Sequence, residues 1–542
     1  MKRNISVLCL LLVVVVLPFL FYQPQEVIDH KTQSVVVVSP HNESIRYEFG
    51  RGFREWYKER TGKEIYVDWR VLGGTSEISR YLQGEYTASF KNHWEKELGN
   101  DWNTEVLLNF VNRRLQLDDS ADDDRLKEKA RRAYLSSNVS CGIDVFFGGG
   151  TYDHNRQAQL GNTISNRLLT TKPEWFGSTG IPQNLSGEEY WDKEGRWLGA
   201  VLSAYGMIYN EDSLRRLGMD SVPSQWWDLT DPRLLGEVAV CDPTKSGSIT
   251  QAFEMIIQQQ IQLELERLKI NETNAENLEY QAIRSGWEAG LRMIRKIFGN
   301  AQYFTDSSMK PSIDVSLGQA AVGMTIDFYG RFQVESTSNR SGDRRLGFIS
   351  PKGGTTISAD PISLLRGAPN QEIAELFIEF VLSLAGQKLW SFQSSAQVEG
   401  APQRFSLRRT AIRPGVYTKE NLPYMSDPDY LPYERASEFS YHAGWTSPLF
   451  NEIRFLIRVM CLDLHTELKV AWRALIDNDF PPRALALFED VTLLTYDTVM
   501  EKYAPMIGSG DHEGEVVLAR ELGALFRMQY QQVKRLAETV GS

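Results

Sequence analysis

Cysteine is scarce in this chain, with four residues among 542. Cys9, Cys141, Cys241 and Cys461 lie too far apart for a zinc knuckle or a Cys-x-x-Cys redox site. Cys9 falls inside an apolar N-terminal run, so at most one pair can form among the other three. Because unpaired cysteine is among the most buried residue types, we predict free, mostly buried thiols. A disulfide between Cys141 and Cys241 stays an open alternative, since distance along the chain does not determine sulfur geometry.

Signatures of the common enzyme classes are also missing. The sequence has no G-x-S-x-G elbow, no H-E-x-x-H pair, no Walker loop and no glycine fingerprint opening a first βαβ unit. Histidine is rare, with seven residues. We therefore predict a protein that is not an enzyme and has no cofactor. An exported hydrolase or transferase is the disfavoured alternative, because a site assembled only in space leaves no motif.

An excess of positive charge is absent as well. The chain has 59 Lys and Arg against 70 Asp and Glu, a formal net charge of -11. Nucleic-acid-binding surfaces need clustered positive charge to neutralise phosphates. We therefore predict no nucleic-acid partner. The composition is that of a globular protein, 42% hydrophobic and 24% charged, and the length suggests two to four folded units.

The N-terminus carries the one long apolar run that we find in the sequence. Lys2 and Arg3 precede an apolar stretch from Ile5 to Phe21, the pattern of an export signal. No small-x-small cleavage pattern follows Phe21, and the stretch has about 17 residues where a bilayer core needs about 20. Residues 1–24 are thus a signal peptide or a signal anchor. We expect the rest of the chain in the periplasm or on the extracytoplasmic face of the membrane.

Buried strands and amphipathic helices alternate after the N-terminal segment. A four-valine run at 35–38 ends in Ser39-Pro40, and an alternating strand at 65–71 ends in a glycine-rich loop at 73–76. A third strand at 143–147 leads into three glycines at 148–150. This order predicts a parallel α/β sheet, which binds ligands outside the carboxyl ends of its strands.

A second α/β unit begins near 201–209. A short strand at 237–241 precedes Asp242-Pro243-Thr244-Lys245-Ser246-Gly247-Ser248, and a long helix follows from Ile249 to about Leu268. Residues 84–135 form a charged, helix-prone insert whose acidic run at 118–124 lacks the spacing of a calcium loop, so we read it as a solvated face. Beyond about residue 445 the pattern is helical to the end.

Three loops at strand ends are rich in backbone donors and short hydroxyls. The segment Thr244, Ser246, Gly247 and Ser248 directly precedes a helix, where free N–H groups and the helix dipole favour an anion. Thr75 and Ser76 after the second strand, and His41, Asn42 and Glu43 after the first, offer similar chemistry. A plain helix cap or turn remains the alternative reading of each loop.

Several segments together resemble the substrate-binding proteins of bacterial ABC importers, in the extracellular solute-binding group that includes the ferric-iron-binding proteins. The resemblance runs from about Val35 to about Arg413. The stretches that carry it are Asp144 to Gly149, Tyr205 to Asn210, Trp227 to Pro232, Asp242 to Ser248, Gly318 to Gly323, Pro351 to Thr355, Ala368 to Asn370 and Phe377 to Phe380. No single stretch is diagnostic, and their order along the chain is what identifies the group.

The resemblance implies an α/β fold of the periplasmic-binding-protein type II class, with two lobes, a ligand cleft and a hinge. We expect lobe 1 at 35–204 and 327–440, lobe 2 at 205–326, and a helical C-terminal extension at 445–542. The crossings between lobes are expected near Tyr205 and Asp327. The implied partners are a small-molecule or ion ligand and an ABC permease in the membrane, with the binding protein acting as a monomer.

The implied ligand contacts come from the strand-end loops and the crossings. They are Ser39, His41, Asn42, Glu43, Thr75, Ser76, Gly149, Gly150, Tyr205, Thr244, Ser246, Gly247, Ser248, Asp327 and Tyr329. The ferric subgroup supplies a His, a Glu and two adjacent Tyr, of which only His41 and Tyr329 have counterparts here, because the glutamate position is Gly148-Gly149-Gly150 and the tyrosine pair is Phe328-Tyr329.

We therefore rank a phosphate- or carboxylate-bearing solute above ferric iron, because loops of backbone donors and hydroxyls suit oxyanions. His41 and Tyr329 are metal ligands only if iron is the cargo. The alternative from a different class is a membrane-tethered sensor or assembly protein, in which the N-terminal segment and the helical tail serve partner contacts.

Overall fold

The computed structural model describes residues 33–540, apart from 116, 118–124, 272–276, 343 and 508–511. The predicted signal or anchor at 1–24, with Cys9, and the acidic run at 118–124 lie outside the described residues. Within the described part, no helix combines the length and the apolar character needed to cross a membrane.

The first part of the chain builds one α/β unit. Its elements are β1 (Gln33–Val38), α1 (Glu43–Thr61), β2 (Ile65–Arg70), α2 (Thr75–Asn92), α3 (Thr104–Asn109), α4 (Leu126–Ser136), β3 (Val145–Phe147), α5 (Thr151–Leu160), β4 (Thr163–Ile164), α6 (Leu168–Thr171), β5 (Asn184–Leu185), β6 (Glu188–Glu189) and β7 (Leu198–Ser203). The middle part builds a second unit. Its elements are β8 (Tyr205–Asn210), α7 (Glu211–Arg216), β9 (Val238–Cys241), α8 (Gly247–Asn271), α9 (Leu278–Asn300), β10 (Ala301–Thr305), α10 (Lys310–Ser316), β11 (Val322–Ile326), α11 (Asp327–Ser341) and β12 (Leu346–Ile349).

The last part completes the first unit and then becomes helical. Its elements are β13 (Ser358–Leu365), α12 (Gln371–Leu382), α13 (Leu384–Ser391), β14 (Thr410–Ala411), α14 (Pro432–Arg435), α15 (Ala443–Thr446), α16 (Phe450–Ile457), α17 (His465–Asp477), α18 (Pro482–Glu489), α19 (Tyr496–Thr498), α20 (Ala504–Ile507) and α21 (His512–Val540). Short 3₁₀ and π turns connect several of these helices. The predicted helical extension from residue 445 is therefore confirmed.

Two sheets form the centres of the two lobes. The first has the order β14-β7-β13-β3-β1-β2, with β4 paired to β13, and the second has the order β10-β9-β11-β8-β12. Strands β2, β1 and β3 are parallel, as are β10, β9 and β11, whereas β8 and β13 run antiparallel to their neighbours. The predicted two-lobed α/β fold is confirmed, with antiparallel strands added to each parallel centre.

The first βα unit follows directly from local sequence. Val35, Val37 and Val38 are fully buried, which is why this strand is a continuous valine run. Helix α1 begins where the Asn42 side chain accepts a hydrogen bond from the Ile45 N–H at 3.1 Å, and it ends at Gly62, whose φ of +71° is a left-handed cap.

The chain crosses between lobes at two neighbouring places. Ala204 alone separates β7 of the first sheet from β8 of the second, close to the predicted crossing at Tyr205. The return was expected near Asp327, but β12 pairs with β8 and extends the second sheet, so the chain returns between residues 350 and 357. The N–H of Asp327 donates to the Ala204 carbonyl at 2.9 Å, which keeps that residue beside the first crossing. We accordingly assign lobe 2 to residues 205–349.

The cysteines and the C-terminal extension match their predictions. Cys141, Cys241 and Cys461 are free and buried, which settles the question of a Cys141–Cys241 disulfide. In the extension, Ile453 and Leu456 are buried, as expected of core packing. Helix α17 packs on α9 of lobe 2, and α21 packs on α17.

Candidate functional site

A cavity of about 420 Å³ lies between the two lobes. Lobe 1 lines it with Pro40, His41, Asn42, Arg46, Val71, Gly73, Gly74, Thr75, Gly149 and Asp360. Lobe 2 lines it with Lys245, Ser246, Ser248, Asp306, Ser307, Ser308, Met309, Ile326, Phe328 and Tyr329. Most of these residues follow β1, β2 and β3 in one sheet and β9, β10 and β11 in the other. The carboxyl ends of both parallel centres therefore face the same cavity.

Seven of the residues predicted as ligand contacts line this cavity. They are His41, Asn42, Thr75, Gly149, Ser246, Ser248 and Tyr329. The structure thus brings together the loops after the first, second and third strands of lobe 1 with the loop before α8, although these loops lie far apart in sequence.

Three further predicted contacts, Ser39, Thr244 and Tyr205, form hydrogen bonds within the protein and do not line the cavity. The Ser39 hydroxyl accepts from the His41 N–H at 3.1 Å. The Thr244 hydroxyl and N–H both donate to Asp242, each at 2.7 Å. Tyr205 is buried and donates its hydroxyl hydrogen to Gln251 Oε1 at 2.7 Å.

The other five predicted contacts also lie outside the set of residues that line the cavity. Ser76 accepts a hydrogen bond from Arg454 at 2.7 Å, and Asp327 forms an ion pair with Arg331 at 2.9 Å. Gly150 directly precedes α5, Gly247 opens α8, and Glu43 is exposed in the first turn of α1.

His41 is a neutral hydrogen-bonding group in the cavity wall. The residue is 5% exposed, and burial together with the positive charges of Arg409 and Arg46 holds its pKa well below the ordinary value. Arg409 Nη1 lies 3.3 Å from His41 Nε2, and since a guanidinium only donates, Nε2 accepts and Nδ1 carries the proton. Within the described part of the chain Nδ1 has no hydrogen-bond partner. His41 therefore lines the cavity with a ring whose Nδ1–H is buried and has no partner among the described residues.

Two glycines make room for this wall. Gly148 has a φ of +91°, and a Cβ built on it would lie 2.5 Å from the His41 ring. Gly149 has a φ of +102°, and its Cβ would lie 2.3 Å from Thr75 Cγ2. Both the backbone conformation and the space require glycine here. The position at which the ferric subgroup supplies a glutamate thus holds no side chain in this protein.

Three helices, α2, α5 and α8, begin at or next to residues that line the cavity. Helices α2 and α5 follow Gly74 and Gly150, and no side chain caps either start. Ser246 does cap α8, because its hydroxyl accepts from the Ile249 N–H at 3.3 Å, and it lines the cavity at the same time. Ser246 is therefore both the cap of α8 and part of the cavity wall. Backbone N–H groups at such starts attract anions.

The charges at the cavity are mixed. Lys245 is exposed, and it forms no ion pair with any other residue that the structure describes. Arg46 Nη1 donates to the His41 carbonyl at 2.7 Å. Burial raises the pKa of Asp360, whereas the ion pair with the buried Arg409 favours its charged form. Asp360 is therefore compensated, and the Lys245 ammonium is left for a ligand.

Sequence reasoning missed several lining residues. Asp306 to Met309 follow β10, a strand that the sequence analysis did not recognise. Lys245 stood inside the predicted loop but was not singled out. Asp360 lies inside β13, and Arg46 is on the first turns of α1, where an outward-facing arginine is common.

The described residues contain no group of three or more His, Cys, Asp or Glu placed to hold a metal ion. Both residues named as iron ligands line the cavity. His41 uses Nε2 to accept from Arg409, and burial raises the pKa of Tyr329 to about 12, which keeps its phenol protonated.

Comparison with known proteins identifies related sequences. The sequence model of a family described as bacterial extracellular solute-binding protein matches residues 140–415, just over half of the chain. An uncharacterised Haemophilus influenzae protein is 27% identical over 259 residues, 47% of this chain and 63% of the relative. The phosphoglycerate transport regulatory protein PgtC of Salmonella typhimurium is 20% identical over 227 residues, 42% of this chain and 49% of the relative. The chain thus spans about half of the length of one relative and somewhat less than two thirds of the length of the other.

Solved structures with a similar fold have low sequence identity to this chain. The periplasmic binding protein AfuA of Actinobacillus pleuropneumoniae, with fructose-6-phosphate bound, is 17% identical with a TM-score of 0.47, covering 78% of this chain and 99% of its own. Iron-bound HitA of Pseudomonas aeruginosa is 13% identical with a TM-score of 0.44, covering 78% of this chain and 98% of its own.

Proposed function

Because the chain belongs to the family of bacterial extracellular solute-binding proteins, we propose that it captures a small solute bearing a phosphate or carboxylate group in the cavity between its lobes. The observation that carries this proposal is the set of donors in the cavity wall. The Lys245 ammonium and the uncapped start of α2 offer hydrogen to an oxyanion in the cavity, and His41, which lines the same cavity, carries a buried Nδ1–H without a partner among the described residues.

Ferric iron suits this cavity less well. A hard cation needs several anionic oxygen ligands. Tyr329 is held as a phenol, Asp360 is engaged by Arg409, and the glutamate position is occupied by glycine. The guanidinium of Arg409 beside His41 also repels a cation. Iron as cargo therefore ranks below an oxyanion, and a chelate with free carboxylates is the form of iron that fits best.

We propose that the protein delivers this solute to an ABC permease, because that is the transport role of the family to which it belongs. The solute would bind between open lobes and be enclosed as they close, and the closed form would dock on the permease. The family's extracellular location also supports a place in the periplasm, with residues 1–24 as the export signal or anchor. The protein needs no catalytic group for this role.

A second function uses the same binding event for signalling. The Salmonella relative is named a regulatory protein of phosphoglycerate transport, and the C-terminal extension lies beyond the residues matched by the family. A sensor that reports solute to a membrane partner would use both features. It predicts the same ligand but a partner other than the permease.

A thermal-shift screen tests the proposal, because a ligand that binds only the folded state raises its stability by mass action. The probes are inorganic phosphate, 3-phosphoglycerate, fructose 6-phosphate, citrate and ferric citrate. We expect a saturable rise with one phosphorylated or carboxylated probe, lost in Lys245→Ala and retained in Lys419→Ala, an exposed lysine away from the cavity.

Two results would overturn the proposal. One is a shift with ferric citrate alone that Lys245→Ala leaves unchanged. The other is the absence of any shift in a protein that circular dichroism shows to be folded. Co-purification of the loaded protein with the permease, or with a different membrane protein, separates transport from signalling.

A further inference from the structure

The C-terminal extension is fixed to lobe 2. Trp472 Nε1 donates to Asn300 Oδ1 at 2.8 Å, and Trp287 Nε1 donates to the Leu494 carbonyl at 2.8 Å. Arg292 Nε donates to the Glu489 carbonyl at 2.9 Å. Each bond joins α9 to a different segment of the extension, so the extension moves with lobe 2.

One helix of the extension also reaches lobe 1. In α16, Arg454 Nη2 donates to Ser76 Oγ of lobe 1 at 2.7 Å, while its Nε donates to the Pro243 carbonyl of lobe 2 at 2.9 Å. One turn earlier, the Phe450 ring stacks on Tyr152 of lobe 1, with centroids 4.4 Å apart and planes 27° apart. The Arg454 guanidinium lies 5.8 Å from the Phe450 ring centroid, so these two contacts form one unit.

The two acceptors of the Arg454 hydrogen bonds belong to residues that are close in sequence to residues lining the cavity. Ser76 adjoins Thr75, which lines the cavity from lobe 1, and Pro243 lies two residues before Lys245, which lines it from lobe 2. We propose that Arg454 is a positioning residue of the ligand site, which holds the two lobes closed by tying the start of α2 to the loop before α8. The effect on ligand rests on the proposed function, whereas the effect on closure does not.

The neighbouring Asp153 strengthens this interpretation. Its carboxylate is buried in lobe 1 and lies against Gly247 at the start of α8 in lobe 2. Burial raises the pKa of Asp153, but the charges of Arg454 and Arg156 and a hydrogen bond with Thr75 oppose that shift. Arg454 thus favours the charged carboxylate at a helix start, where a negative charge is stabilising.

Arginine is specifically suited to this place. Its Nε and Nη2 point to different acceptors in a fixed fork, whereas a lysine presents one compact ammonium on a flexible stem. Separation of the lobes must break at least the bond to Ser76 and the stack on Tyr152, since the extension stays with lobe 2. The extension therefore favours the closed arrangement even without ligand.

The test measures lobe separation in the absence of ligand. Spin labels are placed on Leu108→Cys in lobe 1 and Leu317→Cys in lobe 2, each 66% exposed, in full-length protein with Cys9→Ser. Cys141, Cys241 and Cys461 are buried and stay in place. Double electron–electron resonance then gives the distance distribution between lobes.

We expect a longer and broader distribution for Arg454→Ala than for wild type. Ser76→Ala, which removes only the acceptor in lobe 1, should move the distribution in the same direction. The matched control is Arg458→Ala, because Arg458 pairs within the extension, with Asp463 at 3.8 Å and Glu515 at 3.6 Å. If a ligand is known from the screen, Arg454→Ala should weaken its affinity roughly tenfold or more, as loss of a charged hydrogen bond does.

Wild-type distances in both Arg454→Ala and Ser76→Ala would overturn the inference. If Arg454→Ala does not fold, Ser76→Ala alone decides. Failure of the solute proposal would appear differently, as an absence of ligand response in wild-type protein, and would leave the ligand-free distances unaffected.

Discussion

The carboxylate of Asp153 in lobe 1 lies directly against the backbone of Gly247, the first residue of α8 in lobe 2. A Cβ built on Gly247 would be 2.9 Å from Asp153 Oδ2 and 3.3 Å from Thr75 Oγ1. The close approach depends on glycine, and it places the Asp153 carboxyl group at the positive end of a helix across the gap between lobes.

Gly247→Ala should therefore hinder closure. A methyl group there meets Asp153 and Thr75 only when the lobes are closed, so we expect weaker ligand binding, by about tenfold or more, with little loss of fold stability. Isothermal titration with the ligand from the screen measures the affinity. Gly84→Ala is the control, because Gly84 is inside α2 with open space around it, and it should raise stability by up to about 1 kcal/mol. Equal affinities in both variants would contradict the prediction.

Arg409→Met should destabilise the protein strongly. Arg409 is 2% exposed, pairs with Asp360, donates to Ser203 and lies 4.1 Å from the Phe328 ring centroid. Removal leaves the largely buried Asp360 carboxylate, 15% exposed, without its partner, which costs up to about 3–5 kcal/mol. Urea unfolding followed by tryptophan fluorescence measures the change. Asp360→Asn in the same chain should restore part of the loss, and a double variant no better than the single one would argue against the pairing.

Two buried carboxyl groups from different lobes should make the folded state less stable as the pH rises from about 4.5 to 8. Burial, with the charges of Glu254 and Glu189, raises the pKa of Glu188 to about 8, against contacts with Gln251 and Thr356. Burial also raises the pKa of Glu254 to about 7, although Tyr441 and Thr446 donate to its Oε1 at 2.8 and 2.6 Å. In the unfolded chain both groups ionise near pH 4.5.

Between about pH 4.5 and 8 the folded state therefore binds more protons than the unfolded state, and stability falls as pH rises. The slope is about 1.4 kcal/mol per pH unit for each carboxyl that is protonated only in the folded state. Glu188→Gln/Glu254→Gln should flatten the decline in urea-unfolding free energy between pH 5 and 8, whereas the exposed Glu95→Gln should retain it. An unchanged slope in the double variant would refute the assignment.

Asn300→Ala should loosen the extension from lobe 2. The buried Asn300 donates to the carbonyls of Leu229 and Asp231 at 2.9 and 2.8 Å and accepts from Trp472. The substitution leaves three buried groups without partners, and we expect a loss of roughly 2–4 kcal/mol in thermal or urea unfolding. Asn184→Ala, at an exposed position, should change stability by less than about 0.5 kcal/mol.

Local patterns predicted much of the fold. The valine run, the alternating strand at 65–71 and the glycine-rich loops each reflect a single physical requirement, either burial or backbone freedom. The structure accordingly has β1, β2 and β3 near the predicted positions and α8 close to the predicted helix. Strand β10, which went unrecognised, follows α9 directly with no connecting residue between the two elements.

The site was harder to predict because its parts depend on tertiary contacts. Arg409 reaches His41 from a segment 368 residues further along the chain, and no local pattern distinguishes it from the neighbouring Arg408. The bridge from Arg454 to Ser76 spans 378 residues. Such pairs arise from how helices and lobes pack, which the periodicity of one segment does not encode.

The single residue between β7 and β8 has a consequence for evolution. Because Ala204 alone joins two successive strands of different sheets, and Asp327 is bonded to its carbonyl, a rotation of the lobes about this point would leave both sheets intact. In the delivery role that we propose, a receptor that docks on both lobes would respond to the angle between them and would have no need to touch the cargo. Substitutions in the strand-end loops can therefore change the solute while the docking surfaces, and the receptor that recognises them, stay the same.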